Sequence, residues 1–159
     1  MAYFPMFIEM KGKKVLVIGG GAIAARRVKA LLDFGCEITV LSPDLCEELA
    51  VASAGGKIRW QRGMYNLSKL EAELREVPQP VFVLAAAPEH VNRTVAEDCH
   101  FIGIPVNNAS DRTQSDFYFP GLIKEGEAVI GVTSGGKDHK LAAALSGVVR
   151  TFIRETWKA

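Results

Sequence analysis

The chain has 159 residues, 48% hydrophobic and 23% charged, the proportions of one ordinary globular domain with enough apolar surface to bury a full core. Its formal net charge of +1 at pH 7 removes the usual electrostatic basis for nucleic-acid binding, and no apolar run reaches the ~18 residues of a bilayer-crossing helix. The N-terminus lacks a basic region followed by an apolar block, so a cytoplasmic location is expected.

The first predicted element is an apolar strand over 14–18, which runs straight into Gly19-Gly20-Gly21 and a helix over 22–34. The spacing G-x-G-x-x-A falls on Gly19, Gly21 and Ala24. Gly19 allows the tight turn, Gly21 removes the Cβ that would hold the backbone away from a pyrophosphate, and Ala24 lets the helix pack close to the strand. The helix start, with Ala22 and Ile23, offers free N–H groups and a partial positive charge to phosphates. Strand, turn and helix together form a dinucleotide-binding fingerprint. The bland reading is a fold that has kept the turn and lost the ligand.

A second strand is predicted over 37–41. An acidic residue about 20 positions past the turn normally binds the adenosine ribose hydroxyls, yet here the chain reads Leu41-Ser42-Pro43-Asp44. Asp44 has two readings, ribose ligand or N-cap of the next helix, because Leu-Cys-Glu-Glu follows with the first-turn acidity helices favour. Ser42, with no basic residue directly after it to take a 2′-phosphate, leans toward NAD and leaves NADP open.

Strands and helices then alternate as a Rossmann-type sheet requires: a strand over 57–60, a helix over 66–75, an apolar run over 80–87 suited to a central parallel strand, a helix over 88–99 and a short strand over 104–107. Ala86 and Ala87 end the central strand where chain and cofactor would approach closely. Asn107-Asn108-Ala109-Ser110-Asp111 is a polar loop at a strand's carboxyl end, where open α/β sheets bind ligands. Beyond it, runs over 116–124 and 128–133 around Glu125-Gly126-Glu127 predict an antiparallel hairpin, and 141–157 predicts a helix. The expected fold is α/β, a Rossmann-type parallel sheet with a C-terminal antiparallel hairpin and helix extension. It divides into an NAD-binding domain over 1–112 and an extension over 113–159 too small for a full core of its own. Cys36, Cys46 and Cys99 are widely spaced with no C-x-x-C pairing and read as free thiols.

Several short motifs follow one another in a specific order: Phe4-Pro5-Met6-Phe7-Ile8 before Lys11-Gly12-Lys13-Lys14, the glycine turn, Ala85-Ala86-Ala87, Asn107-x-x-x-Asp111, Asp116-Phe117-x-x-Pro120 and Thr133-Ser134-Gly135-Gly136. Over nearly its whole length the chain thereby resembles the precorrin-2 dehydrogenases, which include the N-terminal module of siroheme synthase and bifunctional dehydrogenase/ferrochelatases. The resemblance implies NAD-dependent oxidation of precorrin-2 to sirohydrochlorin, on the route to siroheme and in some organisms cobalamin. It also implies that Asp111 is catalytic, a carboxylate that takes up a proton while the cofactor takes a hydride. On the residues alone, Asp111 reads as a cap within Ser110-Asp111-Arg112-Thr113. The many carboxylates of precorrin-2 point to Asn107, Arg112, Lys124, Ser134, Lys137 and His139, with Lys140 beside them, as substrate-binding. Each cation also reads as an ordinary solvated charge.

Two departures from the family pattern stand out. After Gly135-Gly136 the family commonly continues with one residue and then Ser-Pro, where this chain has Lys137-Asp138-His139. Asp138 still suits a helix N-cap, and His139 reads as structural or solvated, with metal ligation or proton transfer as the alternative. No paired histidine or cysteine site would hold iron, so no protein metal site is expected, and ferrochelatase activity is an alternative resting on Asp111 and the substrate's own nitrogens. The second departure is the further C-terminal helical region that family members usually carry; a minimal dehydrogenase and a piece of a longer polypeptide both stand open. In the family the hairpin and helix build a dimer. Leu141, Leu145, Val148, Val149, Phe152 and Ile153 suit such a homodimer face at helical spacing and suit equally the covering of their own core. A non-catalytic nucleotide-sensing module is the alternative outside the enzymes.

Overall fold

The computed structural model describes residues 4–135 and 138–156. The elements are β1 (Lys14–Ile18), α1 (Ala22–Leu32), β2 (Glu37–Ser42), α2 (Glu47–Ala54), β3 (Arg59–Arg62), α3 (Leu67–Arg75), β4 (Val83–Ala85), α4 (Glu89–Ile102), β5 (Val106–Asn108), a 3-10 turn over Arg112–Gln114, β6 (Gly121–Glu125), β7 (Ala128–Val132) and α5 (His139–Thr156). Two compact units result, one over Glu9–Tyr118 and the other over 119–156 with residues 4–8.

The first unit holds a five-stranded parallel sheet in the order β3-β2-β1-β4-β5. β1 pairs with β2 from Lys14↔Glu37 to Ile18↔Leu41, and with β4 from Leu16↔Val83 to Ile18↔Ala85. The strand order therefore reverses beside β1, and such a switch point opens a crevice at the carboxyl edge. Apolar residues run continuously along β1 because both its faces are covered. Leu16 and Ile18 join Leu41, Val83, Ala85 and Val106 on one face, against Leu70 of α3 and Val95, Ala96 and Cys99 of α4. Val15 and Val17 alternate to the other face and are equally buried, as are Ala24, Val28 and Leu31 of α1. Cys36 and Cys99 are buried thiols, and burial together with the nearby Asp98 and Asp116 pushes Cys99 up to about 12.

Several element boundaries differ from expectation. β3 begins at Arg59, two places later than expected, because it pairs with the carboxyl half of β2, Thr39↔Arg59 through Ser42↔Arg62. The apolar run over 80–87 contributes only Val83–Ala85 to the ladder, since Pro80 has no N–H and β5 pairs with three residues. The segment 116–120 is not a strand. Asp116 instead bonds β5, accepting from Val106 N–H on Oδ2 and donating its own N–H to Val106 C=O, and the hairpin starts at Gly121.

At the amino edge of the sheet, charges are paired. Lys14 Nζ lies 2.9 Å from Glu76, while Arg59 bonds Glu73 at 2.7 and 2.5 Å, Glu76 at 3.1 Å and the Thr39 hydroxyl at 3.1 Å. Glu73 is 5% exposed, and burial is the largest influence on its carboxyl, raising it above the ordinary range against the pull of Arg59.

In the second unit, β6 and β7 form the expected antiparallel hairpin, from Gly121↔Val132 to Glu125↔Ala128. Ile123 and Ile153 are buried, and Arg150 donates to the Leu122 carbonyl at 3.2 Å, tying α5 to β6. Four of the six apolar residues expected on one helix face, Leu141, Leu145, Val148 and Phe152, are exposed. They fall within about 60° of arc at 3.6 residues per turn. No helix among the described residues is long and apolar enough to cross a membrane.

Candidate functional site: the glycine turn and the carboxyl edge

Gly19, Gly20 and Gly21 leave β1 at the switch point and open α1, with Gly21 at its N-cap and no side-chain cap there. Gly19 has φ +118°, and a Cβ on it would collide with the Ala86 carbonyl oxygen. A Cβ on Gly20 would collide with the Asp44 carbonyl and stand 2.7 Å from the Ser42 hydroxyl oxygen. At Gly21 a Cβ would meet nothing within 4 Å, so the space before the helix start is open, as a pyrophosphate resting on the N–H groups of Ala22 and Ile23 would need. The fingerprint assigned tasks to Gly19 and Gly21; the close approach at Gly20 escaped it, because the partner strand's loop supplies the obstacle.

Backbone bonds stitch this turn to its neighbours. Gly19 N–H donates to Leu41 C=O at 2.9 Å, Cys46 N–H to Gly20 C=O at 2.7 Å, and Ala86 N–H to Ile18 C=O at 2.8 Å. Ser42, Asp44, Ala86 and Ala87 are thereby brought to the glycine turn. Ser42 is 2% exposed, and its hydroxyl is buried with no hydrogen-bond partner. A buried hydroxyl left without a partner costs free energy that a ligand hydroxyl or phosphate would relieve. The open face at Gly21 and this orphaned oxygen both fit a nicotinamide dinucleotide.

Asp44 does not cap α2. The N-cap is Cys46, with no side-chain cap bond, because the chain from Pro43 to Cys46 is spent returning to the Gly20 carbonyl before the helix can begin. The Asp44 carboxylate is 86% exposed and lies 3.9 Å from Arg62 Nη2.

Asp111 caps the 3-10 turn, its Oδ1 accepting from the Thr113 hydroxyl at 2.7 Å and the Thr113 N–H at 2.8 Å. Those two bonds, the hydroxyl's first, hold its carboxyl below the usual carboxylate range. Two residues outside the expected set hold this loop. Asn108 Oδ1 accepts from the N–H groups of Ser110 and Asp111 at 2.9 and 3.1 Å. Asn92, fully buried on α4, accepts from Ala87 N–H and donates to Ala87 C=O, both at 2.8 Å, and donates to the Ser110 hydroxyl at 2.7 Å. The loop of Asp111 and the loop of Ala87 are thus joined through one amide. A polar residue in the helical pattern of α4 carries no local sign of that role.

Asn107 is 4% exposed; its Nδ2 donates to Phe117 C=O at 2.8 Å and its Oδ1 is buried without a partner. The Arg112 carbonyl accepts from the Tyr118 hydroxyl at 3.1 Å. Lys124, on β6, and Ser134 belong to the second unit, where the Ser134 hydroxyl donates to Asp138 C=O at 2.6 Å and accepts from Asp138 N–H at 3.2 Å. Asp138 Oδ1 accepts from Leu141 N–H at 2.9 Å, as an N-cap does. Lys137 and the side chain of His139 lie outside the described residues.

The sequence profile of a family described as "Putative NAD(P)-binding" matches residues 6–121. A siroheme synthase of Hydrogenovibrio crunogenus is 30% identical over 154 residues, covering 96% of this chain and 32% of that protein. A siroheme synthase of Neisseria meningitidis is 38% identical over 148 residues, covering 91% of this chain and 29% of that protein. The chain thus spans about a third of the length of these curated relatives. A solved structure named SirC, precorrin-2 dehydrogenase, shares the fold with a TM-score of 0.72 at 24% identity, covering 94% of this chain and 71% of that one.

Proposed function

The chain belongs to this NAD(P)-binding family, and from that premise we propose that it is an NAD-dependent dehydrogenase that oxidises precorrin-2 to sirohydrochlorin in siroheme biosynthesis. The observation that carries the reading is the glycine turn at the switch point, open before Gly21 and bordered by the unpartnered Ser42 hydroxyl. The names of the siroheme synthases and of the structural neighbour support the choice of substrate.

Bound NAD+ would supply the hydride acceptor. Gly19, Gly21, Ala22 and Ile23 receive its pyrophosphate, Ser42 and Asp44 its adenosine ribose, and Ala86 and Ala87 leave room for its nicotinamide end. Asp111 takes the proton that leaves the macrocycle: its carboxyl, held low by Thr113, is ionised at neutral pH and ready to accept. Asn107 and Arg112, at the carboxyl edge of the sheet, meet the substrate's carboxylates; the resemblance alone extends that role to Lys124, Ser134, Lys137 and His139. The enzyme acts in the cytoplasm and as a homodimer; the exposed stripe of Leu141, Leu145, Val148 and Phe152 supports the dimer.

The test is anaerobic incubation with enzymatically generated precorrin-2 and NAD+, following NADH and the sirohydrochlorin spectrum. Formation of both in step is expected; dinucleotide binding without either product would overturn the dehydrogenase reading in favour of a nucleotide sensor. Light scattering of the wild type against Leu145→Glu tests the dimer, which should become a monomer.

A further inference from the structure

We propose that Asp44 and Arg62 form one subsite for the 2′ end of the adenosine ribose, in which Arg62 admits a 2′-phosphate, so that the protein binds NADP+ as well as NAD+. The inference rests on the dinucleotide-binding reading above and extends it. No basic residue directly follows Ser42 along the chain, yet one stands beside it in space. Ser42 ends β2, Arg62 ends β3, and the two are partners in the parallel ladder.

Arg62 is held at that edge by three contacts. Its Nε donates to the Pro43 carbonyl at 3.3 Å, its Nη2 stands 3.9 Å from Asp44 Oδ1, and its Cζ lies 5.7 Å from the centre of the Trp60 ring. The indole is itself anchored, donating to the Ser42 carbonyl at 3.1 Å. A guanidinium placed by a carbonyl and an aromatic face loses less freedom on meeting an anion, and its planar fork matches phosphate oxygens two at a time.

An acidic residue at the end of β2 favours a free ribose diol and repels a phosphate. Here the repelling charge has a cation beside it, which offsets that discrimination. The buried Ser42 hydroxyl, without a partner, lies at the same strand end and can donate to either form of the ribose.

Calorimetric titration with NAD+ and with NADP+, at low and at raised ionic strength, tests the proposal. Both should bind the wild type, with NADP+ the more salt-sensitive. Arg62→Gln should raise the ratio of the NADP+ to the NAD+ dissociation constant about tenfold, Arg62→Lys should recover part of that change, and Asp44→Asn should move the ratio the other way. An unchanged ratio in Arg62→Gln, or a wild type that binds NAD+ and refuses NADP+, would overturn this inference and leave the dinucleotide-binding reading standing. A wild type that binds neither would overturn both.

Discussion

The side-chain amide of Asn92 pairs with the peptide of Ala87 twice over, accepting from its N–H and donating to its C=O, each at 2.8 Å. Its remaining amide hydrogen goes to the Ser110 hydroxyl. One buried residue therefore satisfies the strand end next to the glycine turn and the loop that carries Asp111. Asn92→Ala should cost about 3 kcal/mol in urea denaturation, because a part-buried peptide group loses both partners. A loss within error of zero would mean that water replaces the amide.

Gly20 and Gly21 separate folding from binding. Gly20→Ala forces a Cβ against the Asp44 carbonyl, and a loss of about 3 kcal/mol is expected from strain at that point. Gly21→Ala meets no neighbour and should leave the melting temperature nearly unchanged, while NAD+ affinity falls at least about tenfold because the Cβ occupies the pyrophosphate's place. Differential scanning fluorimetry with and without NAD+ reads both outcomes. Equal affinity in Gly21→Ala and wild type would remove the turn from the cofactor site.

Asp111→Asn retains an acceptor for Thr113 but cannot take a proton. Turnover should fall about 10²–10⁴-fold while NAD+ binding and the melting temperature hold. Because Thr113 keeps the carboxyl low, the acid limb of kcat/KM in the wild type should appear only below the ordinary carboxylate range. An acid limb near neutrality would assign the proton to another group.

Arg59 and Glu73 predict a pH dependence of stability with a definite sign. Burial raises the Glu73 carboxyl above its unfolded value, so its contribution is full below the ordinary carboxylate range and is lost as pH rises through its folded value. Glu76 works the other way: hydrogen bonds from Lys14 and then Arg59 hold it low, and its contribution is lost as pH falls. Arg59→Met should cost about 2 kcal/mol near neutrality, less than a fully buried pair because Arg59 is half-exposed. The deficit should shrink in acid, where Glu73 is protonated, and adding Glu73→Gln should restore most of it. Urea denaturation from pH 7 downward would detect a pH-independent deficit, which would exclude the buried carboxylate as its source.

The parts of this molecule legible in the sequence are those decided by neighbours along the chain. β1, the turn at Gly19 and Gly21, and the start of α3 at Asn66, whose side chain accepts from Lys69 N–H, are local matters of apolar runs, missing Cβ atoms and capping. The parts it hid depend on register and crossing. Arg62 reaches the end of β2 only because β3 pairs with the carboxyl half of that strand, and Asn92 reaches Ala87 only once α4 packs back on the sheet. Asp44 reads as a cap by composition and loses that role because Cys46 is tied to Gly20. The cap at Asp111, by contrast, follows from its own Ser-Asp-Arg-Thr neighbourhood.

β5 is the last strand of the sheet, and a terminal strand normally offers its outward peptide groups to any other extended chain. Here the chain answers them itself. Asp116 takes the Val106 N–H and supplies its own N–H to the Val106 carbonyl, and the Ser115 hydroxyl both accepts from Asn108 N–H and donates to Asn108 C=O. The segment after the Asp111 turn therefore works as a selvedge, finishing the weave so that a second sheet cannot be sewn on at this border. Without the Asp116 carboxylate and the Ser115 hydroxyl, the Val106 and Asn108 N–H groups at that border would stand open to another extended chain.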